Sequence, residues 1–183
     1  MSPDIASNCI KASEFLSEYR ETEKVVSRAQ KELLSLADIK AAFDKLADPK
    51  KKLIYLDDFL ARVEEARGAR EKFEHIAERN SIKSKESLSV DLDGFREMFG
   101  VSDTYRLPES TGARGRERNV EICTSYLRLV CPVLFNLERA RRELVSLADF
   151  NPTLIYRSMR MNSFSEGKVS YSFFVDACYT RIL

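Results

Sequence analysis

An all-α fold of helix–loop–helix pairs and long amphipathic helices is what the sequence predicts, and three observations carry that prediction. Apolar residues recur at steps of three or four along most of the chain. A twelve-residue stretch near the start returns 111 residues later, and one short pattern leading into a phenylalanine occurs three times. Length and composition agree with them. The 183 residues and 21.0 kDa, 44% hydrophobic and 32% charged, can bury a core without disulfides or metal. Thirty Lys and Arg stand against 29 Asp and Glu, and a net charge of +1 gives no global field to draw nucleic acid or an anionic membrane.

Taken in chain order, Ile10, Leu16 and Tyr19, then Val26, Ala29, Leu33 and Leu36, mark an amphipathic stripe over residues 6–36, as one helix or two. Helices are expected over 37–47 and 69–80. Residues 101–117 hold Pro108, Gly112 and Gly115 in a polar run and form the expected linker, dividing an N-terminal lobe, 1–100, from a C-terminal half, 118–183. Beyond it, Val120, Cys123, Leu127, Val130, Leu134, Leu137, Ala140, Leu144 and Leu147 share one face, so something must cover that stripe. Pro132 lies within it, and the stretch is expected either to kink near Val130-Cys131 or to split in two. A further helix is expected over 152–161.

The internal duplication is explicit in the residues. Arg28-Ala29-Gln30-Lys31-Glu32-Leu33-Leu34-Ser35-Leu36-Ala37-Asp38-Ile39 returns as Arg139-Ala140-Arg141-Arg142-Glu143-Leu144-Val145-Ser146-Leu147-Ala148-Asp149-Phe150. The same offset aligns Asn8 with Asn119 and Phe15-Leu16 with Tyr126-Leu127. Two related halves follow, each opening with amphipathic helix and turning a Ser-Leu-Ala-Asp corner into another helix.

The thrice-repeated pattern is an aliphatic residue, an apolar or aromatic residue two places on, and a phenylalanine three places later. Its copies are Ile54-Tyr55-Leu56-Asp57-Asp58-Phe59, Val90-Asp91-Leu92-Asp93-Gly94-Phe95 and Val169-Ser170-Tyr171-Ser172-Phe173-Phe174. Each follows an expected helix and a polar stretch. In this the chain resembles the EF-hand family, in its calmodulin-like and myosin light-chain-like branches. The resemblance implies that the aliphatic is the eighth loop residue, whose backbone pairs with a neighbouring hand, and that loops begin at Ala47, Lys83 and Asn162.

On that frame the calcium chemistry is lost. The first loop offers Ala47, Pro49 and Lys51 as its first ligands, with Lys52 at the usual glycine and Asp58 at the twelfth position. The second offers Lys83, Lys85 and Ser87, then Leu88 and Gly94. A hard dication needs several anionic oxygens, and lysines repel it. The third keeps Asn162, Glu166, Gly167 and Ser170 but places Phe164 and Phe173 at ligand positions, a millimolar-class site at best. No metal and no cofactor is expected.

The resemblance further implies that the first two hands pair through Ile54 and Val90 and grip an amphipathic partner helix in an apolar groove, independently of calcium. The partner-binding residues it indicates are Phe43, Leu46, Leu56, Phe59, Leu60 and Val63 from the first hand, with Phe73, Phe95, Met98 and Phe99 from the second. The expected function is a non-catalytic adaptor. The alternative is a structural subunit of a larger cytoskeletal or axonemal assembly, joined through the long helical stripes. The third hand has no obvious partner hand, and the stripe at 119–147 is an alternative packing surface for it.

Other chemistry finds little support. His75, the single histidine, sits among helix formers and cannot supply a zinc cage. Gly112-Ala113-Arg114-Gly115-Arg116 lacks phosphate-loop spacing, and the pairs Asp57-Asp58 and Glu64-Glu65 read as solvated helix charges. Arg114, Arg116, Arg118, Arg139, Arg141 and Arg142 form a basic cluster without interleaved aromatics, which disfavours single-stranded nucleic acid. Cys9, Cys123, Cys131 and Cys178 form no C-x-x-C pair and are expected to be free thiols in a reducing compartment. With apolar runs as short as Val133-Leu134-Phe135, no membrane span is expected. The amino terminus lacks a signal pattern, which makes a cytoplasmic, cytoskeleton-associated location the default.

Overall fold

The computed structural model describes residues 3–79, 88–100, 116–148, 150–162 and 169–179. Among these the chain is all-α apart from one minimal sheet. Its elements are α1 (Pro3–Leu33), α2 (Leu36–Leu46), β1 (Ile54–Tyr55), α3 (Leu56–Val63), α4 (Ala69–Arg79), β2 (Ser89–Val90), α5 (Leu92–Glu97), α6 (Arg116–Val145), α7 (Pro152–Asn162) and α8 (Tyr171–Tyr179). The helices expected over 37–47, 69–80 and 152–161 are α2, α4 and α7 within a residue or so.

The amino-terminal stripe is a single helix up to Leu33. It stops because Ser35 leaves helical geometry and caps the next helix, its Oγ accepting from the Asp38 N–H at 3.2 Å and donating to Asp38 Oδ2 at 2.8 Å. The duplicated corner is built differently. Ser146 Oγ donates to the Glu143 carbonyl, and α7 starts only at Pro152, in the favoured first-turn position, with Asn151 Oδ1 accepting from the Leu154 N–H. Neither a split nor an interruption appears at Pro132: α6 is one helix of 30 residues, forgoing one internal hydrogen bond there.

Contacts divide the chain into two compact units, residues 1–23 with 136–182, and residues 24–135. This differs from the expected division at a linker over 101–117. Residues 101–115 lie outside the described residues, and 116 and 117 already belong to α6. Because the division falls inside α1 and α6, each long helix contributes to both units.

In the unit of residues 1–23 and 136–182, one apolar cluster gathers Cys9, Phe15 and Leu16 of α1, Leu137 and Leu144 of α6, Ile155 and Met159 of α7, and Phe174 of α8. The stripe of the second half thus packs against the third helix–loop–helix, the alternative the sequence left open. Glu138, buried at 1% exposure, is neutralised by Arg141 Nε at 3.0 Å and Arg142 Nε at 3.3 Å, and Arg141 Nη1 also donates to the Cys178 carbonyl near the end of α8. Two arginines of the expected basic cluster are therefore committed to this carboxylate, while Arg118 and Arg139 are exposed.

In the unit of residues 24–135, β1 and β2 run antiparallel with Ile54 opposite Val90 and Tyr55 opposite Ser89, extended by a bond from the Leu56 N–H to the Leu88 carbonyl. The pairing expected between residues 54 and 90 is present. By length and composition, residues 118–145 of α6 are also long and apolar enough to cross a membrane, a test that the buried core helix of a folded domain passes as well, and half of its most apolar window is buried within the protein.

Candidate functional site

The two-stranded sheet places α2, α3, α4 and α5 so that their apolar faces meet. Phe43 of α2 lies 6.0 Å from Phe95 of α5, and Phe59 of α3 stacks on Phe73 of α4 at 4.8 Å. The eight residues Phe43, Phe59, Leu60, Val63, Phe73, Phe95, Met98 and Phe99 are buried, while Leu46 and Leu56 are half-buried. The sequence thus identified a real apolar convergence, but it is a filled one.

What fills it is the chain itself. Phe99 stacks on Tyr126 of α6 at 5.6 Å, and the Phe99 carbonyl accepts from Tyr126 Oη at 3.1 Å and from Gln30 Nε2 of α1 at 2.7 Å. Both donors satisfy a carbonyl at the end of α5 that has no intrahelical partner. On the neighbouring face Cys123 Sγ donates to the Asp38 carbonyl at 3.7 Å. Val120, Leu127, Val130 and Leu134 of α6 are all buried. At the other end α4 begins against α6: Gly68, with φ +85°, lies so close that an added Cβ would stand 2.7 Å from Phe135 Cβ and 2.9 Å from the Cys131 carbonyl. Arg67 lies over the Phe135 ring, and Arg128 bonds Glu64 and Glu121 at the rim.

The first loop is held by its own backbone. Asp48 accepts from the Lys50 and Lys51 N–H groups, each at 2.9 Å, and these bonds hold its carboxyl below the usual carboxylate range. Lys52, at the glycine position of the EF-hand frame, takes a left-handed φ of 57°. At the twelfth position of the second frame, Gly94 is pressed against Val90 and Ile76, an added Cβ falling 3.1 Å from Val90 Cβ. A larger residue there would have to shift Val90 or Ile76 by a few tenths of an ångström. Lys83, Lys85, Ser87, Phe164, Glu166 and Gly167 lie outside the described residues, as does the side chain of Asn162. No group of three or more His, Cys, Asp or Glu able to hold a metal occurs among the described residues.

Burial pushes the Cys123 thiol up to about 12 and the Cys131 thiol up to about 11, so both are protonated at neutral pH and poor nucleophiles. All four described cysteines are free and buried. His75, on α4, is half-buried.

Sequence reasoning missed Gln30, Gly68, Lys72 and Tyr126. The stripe from Val120 to Leu134 showed that a cover was required but not which element supplied it. For Lys72 a signal existed: Ala69, Lys72, Phe73 and Ile76 fall at steps of three and four, and Lys72 is buried at 4% exposure on that apolar face.

No family model, curated protein or solved structure matches the chain.

Proposed function

We propose that this protein is a non-catalytic, calcium-independent structural subunit, in which a degenerate EF-hand-like pair is closed permanently on the chain's own helix. The observation that carries this reading is the seating of Tyr126 on Phe99, with Gln30 and Tyr126 sharing the Phe99 carbonyl. In a light-chain-like adaptor those apolar residues would face a partner helix; here α6 already supplies the amphipathic helix. The choice between the two expected functions therefore shifts from groove adaptor to assembly subunit. Its contacts with other proteins fall on the outer surface, where Leu36 and Leu129 are exposed in one unit and Ile10, Leu154, Tyr171 and Tyr179 in the other. A cytoplasmic, cytoskeletal setting suits such a subunit.

Two measurements test the reading. Calorimetric titration with calcium is expected to give no binding heat and no rise in Tm, and a sub-micromolar site would overturn the ion-free assignment. A fluorescent peptide of residues 118–135 is expected not to bind the folded protein, because that site is filled. Saturable binding of the peptide would restore the open-groove adaptor. Substituting Phe59 or Phe95 by Asp cannot decide the matter, since each ring is buried and the charge would unfold the unit.

A further inference from the structure

In the unit of residues 1–23 and 136–182 a cleft of about 240 Å³ lies between α1 and α6. Phe15, Ala140 and Leu144 close its floor, while Lys11, Glu14 and Glu18 of α1 and Glu143 of α6 line its walls. Residues 11, 14, 15 and 18 fall at steps of three and four, as do 140, 143 and 144, so each helix turns one face to the cleft. The short side chain of Ala140 leaves the space between them. Lys11, Glu14 and Glu143 are exposed and Glu18 is half-buried. No ion pair engages the three carboxylates among the described residues, and Lys11 is the one cation lining the cleft. The internal duplication supplies a comparison. At the offset of 111 residues the floor positions hold Tyr126, Ala29 and Leu33, apolar or aromatic in both copies, whereas Lys11, Glu14 and Glu18 correspond to Ile122, Ser125 and Leu129. Only Glu143 has an acidic counterpart, Glu32. Packing of the long helices thus demands the floor but not the acidic walls.

We propose that this cleft docks an arginine side chain presented by a basic segment of a partner protein. Charge complementarity selects the occupant, since three carboxylates against one ammonium attract a cation. The volume admits a side chain but not a helix. A guanidinium suits it better than an ammonium: its planar fork binds carboxylates bidentately, it is less strongly hydrated, and its methylene stem lies along the apolar floor of Phe15 and Leu144. The inference names a partner chemistry for the assembly subunit and rests on that reading, yet the two fail separately. Calcium heat, or binding of the peptide of residues 118–135, strikes the reading and leaves the cleft and its charges as they are.

Fluorescence anisotropy of a dye-labelled tri-arginine amide, titrated with the full chain, decides it. Wild type is expected to bind saturably, more weakly as salt rises, and to bind tri-lysine amide less tightly. The combined variant Glu14→Gln, Glu18→Gln and Glu143→Gln keeps every side-chain length and is expected to bind about tenfold more weakly with unchanged circular dichroism and Tm. Lys11→Ala removes the opposing charge and is expected to bind about twofold more tightly, an effect that loss of fold cannot imitate. The control variant Asp44→Asn, Asp58→Asn and Glu78→Gln removes three exposed carboxylates from the unit of residues 24–135 and is expected to bind as wild type does. Absence of saturable binding to wild type, full binding by the Glu14, Glu18 and Glu143 variant, an equal loss in the control, weaker binding by Lys11→Ala, or equal affinity for tri-lysine would each overturn the proposal.

Discussion

Lys72 is a charge on the apolar face of a helix: it shares the buried side of α4 with Ala69, Phe73 and Ile76. Burial pushes its ammonium below the usual lysine range, with the Cys131 side chain acting weakly in the other direction. The unfolded chain binds this proton readily below the ordinary value of 10.5 and the folded chain less so, so the burden on stability is present at neutral pH and fades as pH rises towards 10.5. Lys72→Met keeps the length and removes the charge. It is expected to stabilise by about 1 kcal/mol or more at pH 7, with a smaller gain at pH 10. Urea denaturation of both proteins at the two pH values checks this, since ionisation of unfolded thiols cancels in the difference. An equal gain at both pH values would show that Lys72 is solvated.

Among the elements, those that carry a local signal were legible and the one that closes the core was not. The exits could be read because an aliphatic, a spacer and a phenylalanine at fixed spacing describe a complete local event, a short strand entering a helix. Ile54 and Val90 then meet because each needs a partner. The covering role of α6 has no such local marker, since an apolar stripe is satisfied by any complementary face. The duplicated corner shows the same limit: Ser35 and Ser146 sit in like sequences, but only Ser35 caps the next helix, because Asn151-Pro152 provides a better start in the second copy. Gly68 is where α4 meets α6, and its substitution tests that packing. Gly68→Ala introduces strain at φ +85° and a methyl group 2.7 Å from Phe135 Cβ, and is expected to cost about 2–4 kcal/mol in urea denaturation. A midpoint that does not move would remove α6 from this face. The Phe99 carbonyl offers a second test. Tyr126→Phe and Gln30→Leu each leave it one donor, so each is expected to cost about 0.5–1.5 kcal/mol. The double variant orphans a buried carbonyl and is expected to cost more than the sum.

For the molecule as a whole, contacts group residues that the sequence keeps apart, 1–23 with 136–182, because each long helix has a face to cover at both of its ends. A reading that places boundaries at polar, glycine-containing runs does not detect this grouping. The four thiols report on it, since Cys9 and Cys178 belong to one unit and Cys123 and Cys131 to the other. Burial raises Cys131 to about 11 and Cys123 and Cys178 to about 12. The folded chain therefore keeps protons that the unfolded chain releases above the ordinary value of 9.0, and stability is expected to fall as pH rises from about 9 through 11–12. At neutral pH native wild type is expected to resist alkylation at all four positions, with labelling limited by unfolding. In Gly68→Ala, at urea concentrations just below the midpoint, peptide mapping is expected to find Cys123 and Cys131 labelled ahead of Cys9 and Cys178, because the strain falls in their unit. Uniform labelling of all four would mean that the two groups of contacts melt as one cooperative body, held together by the continuous helices α1 and α6.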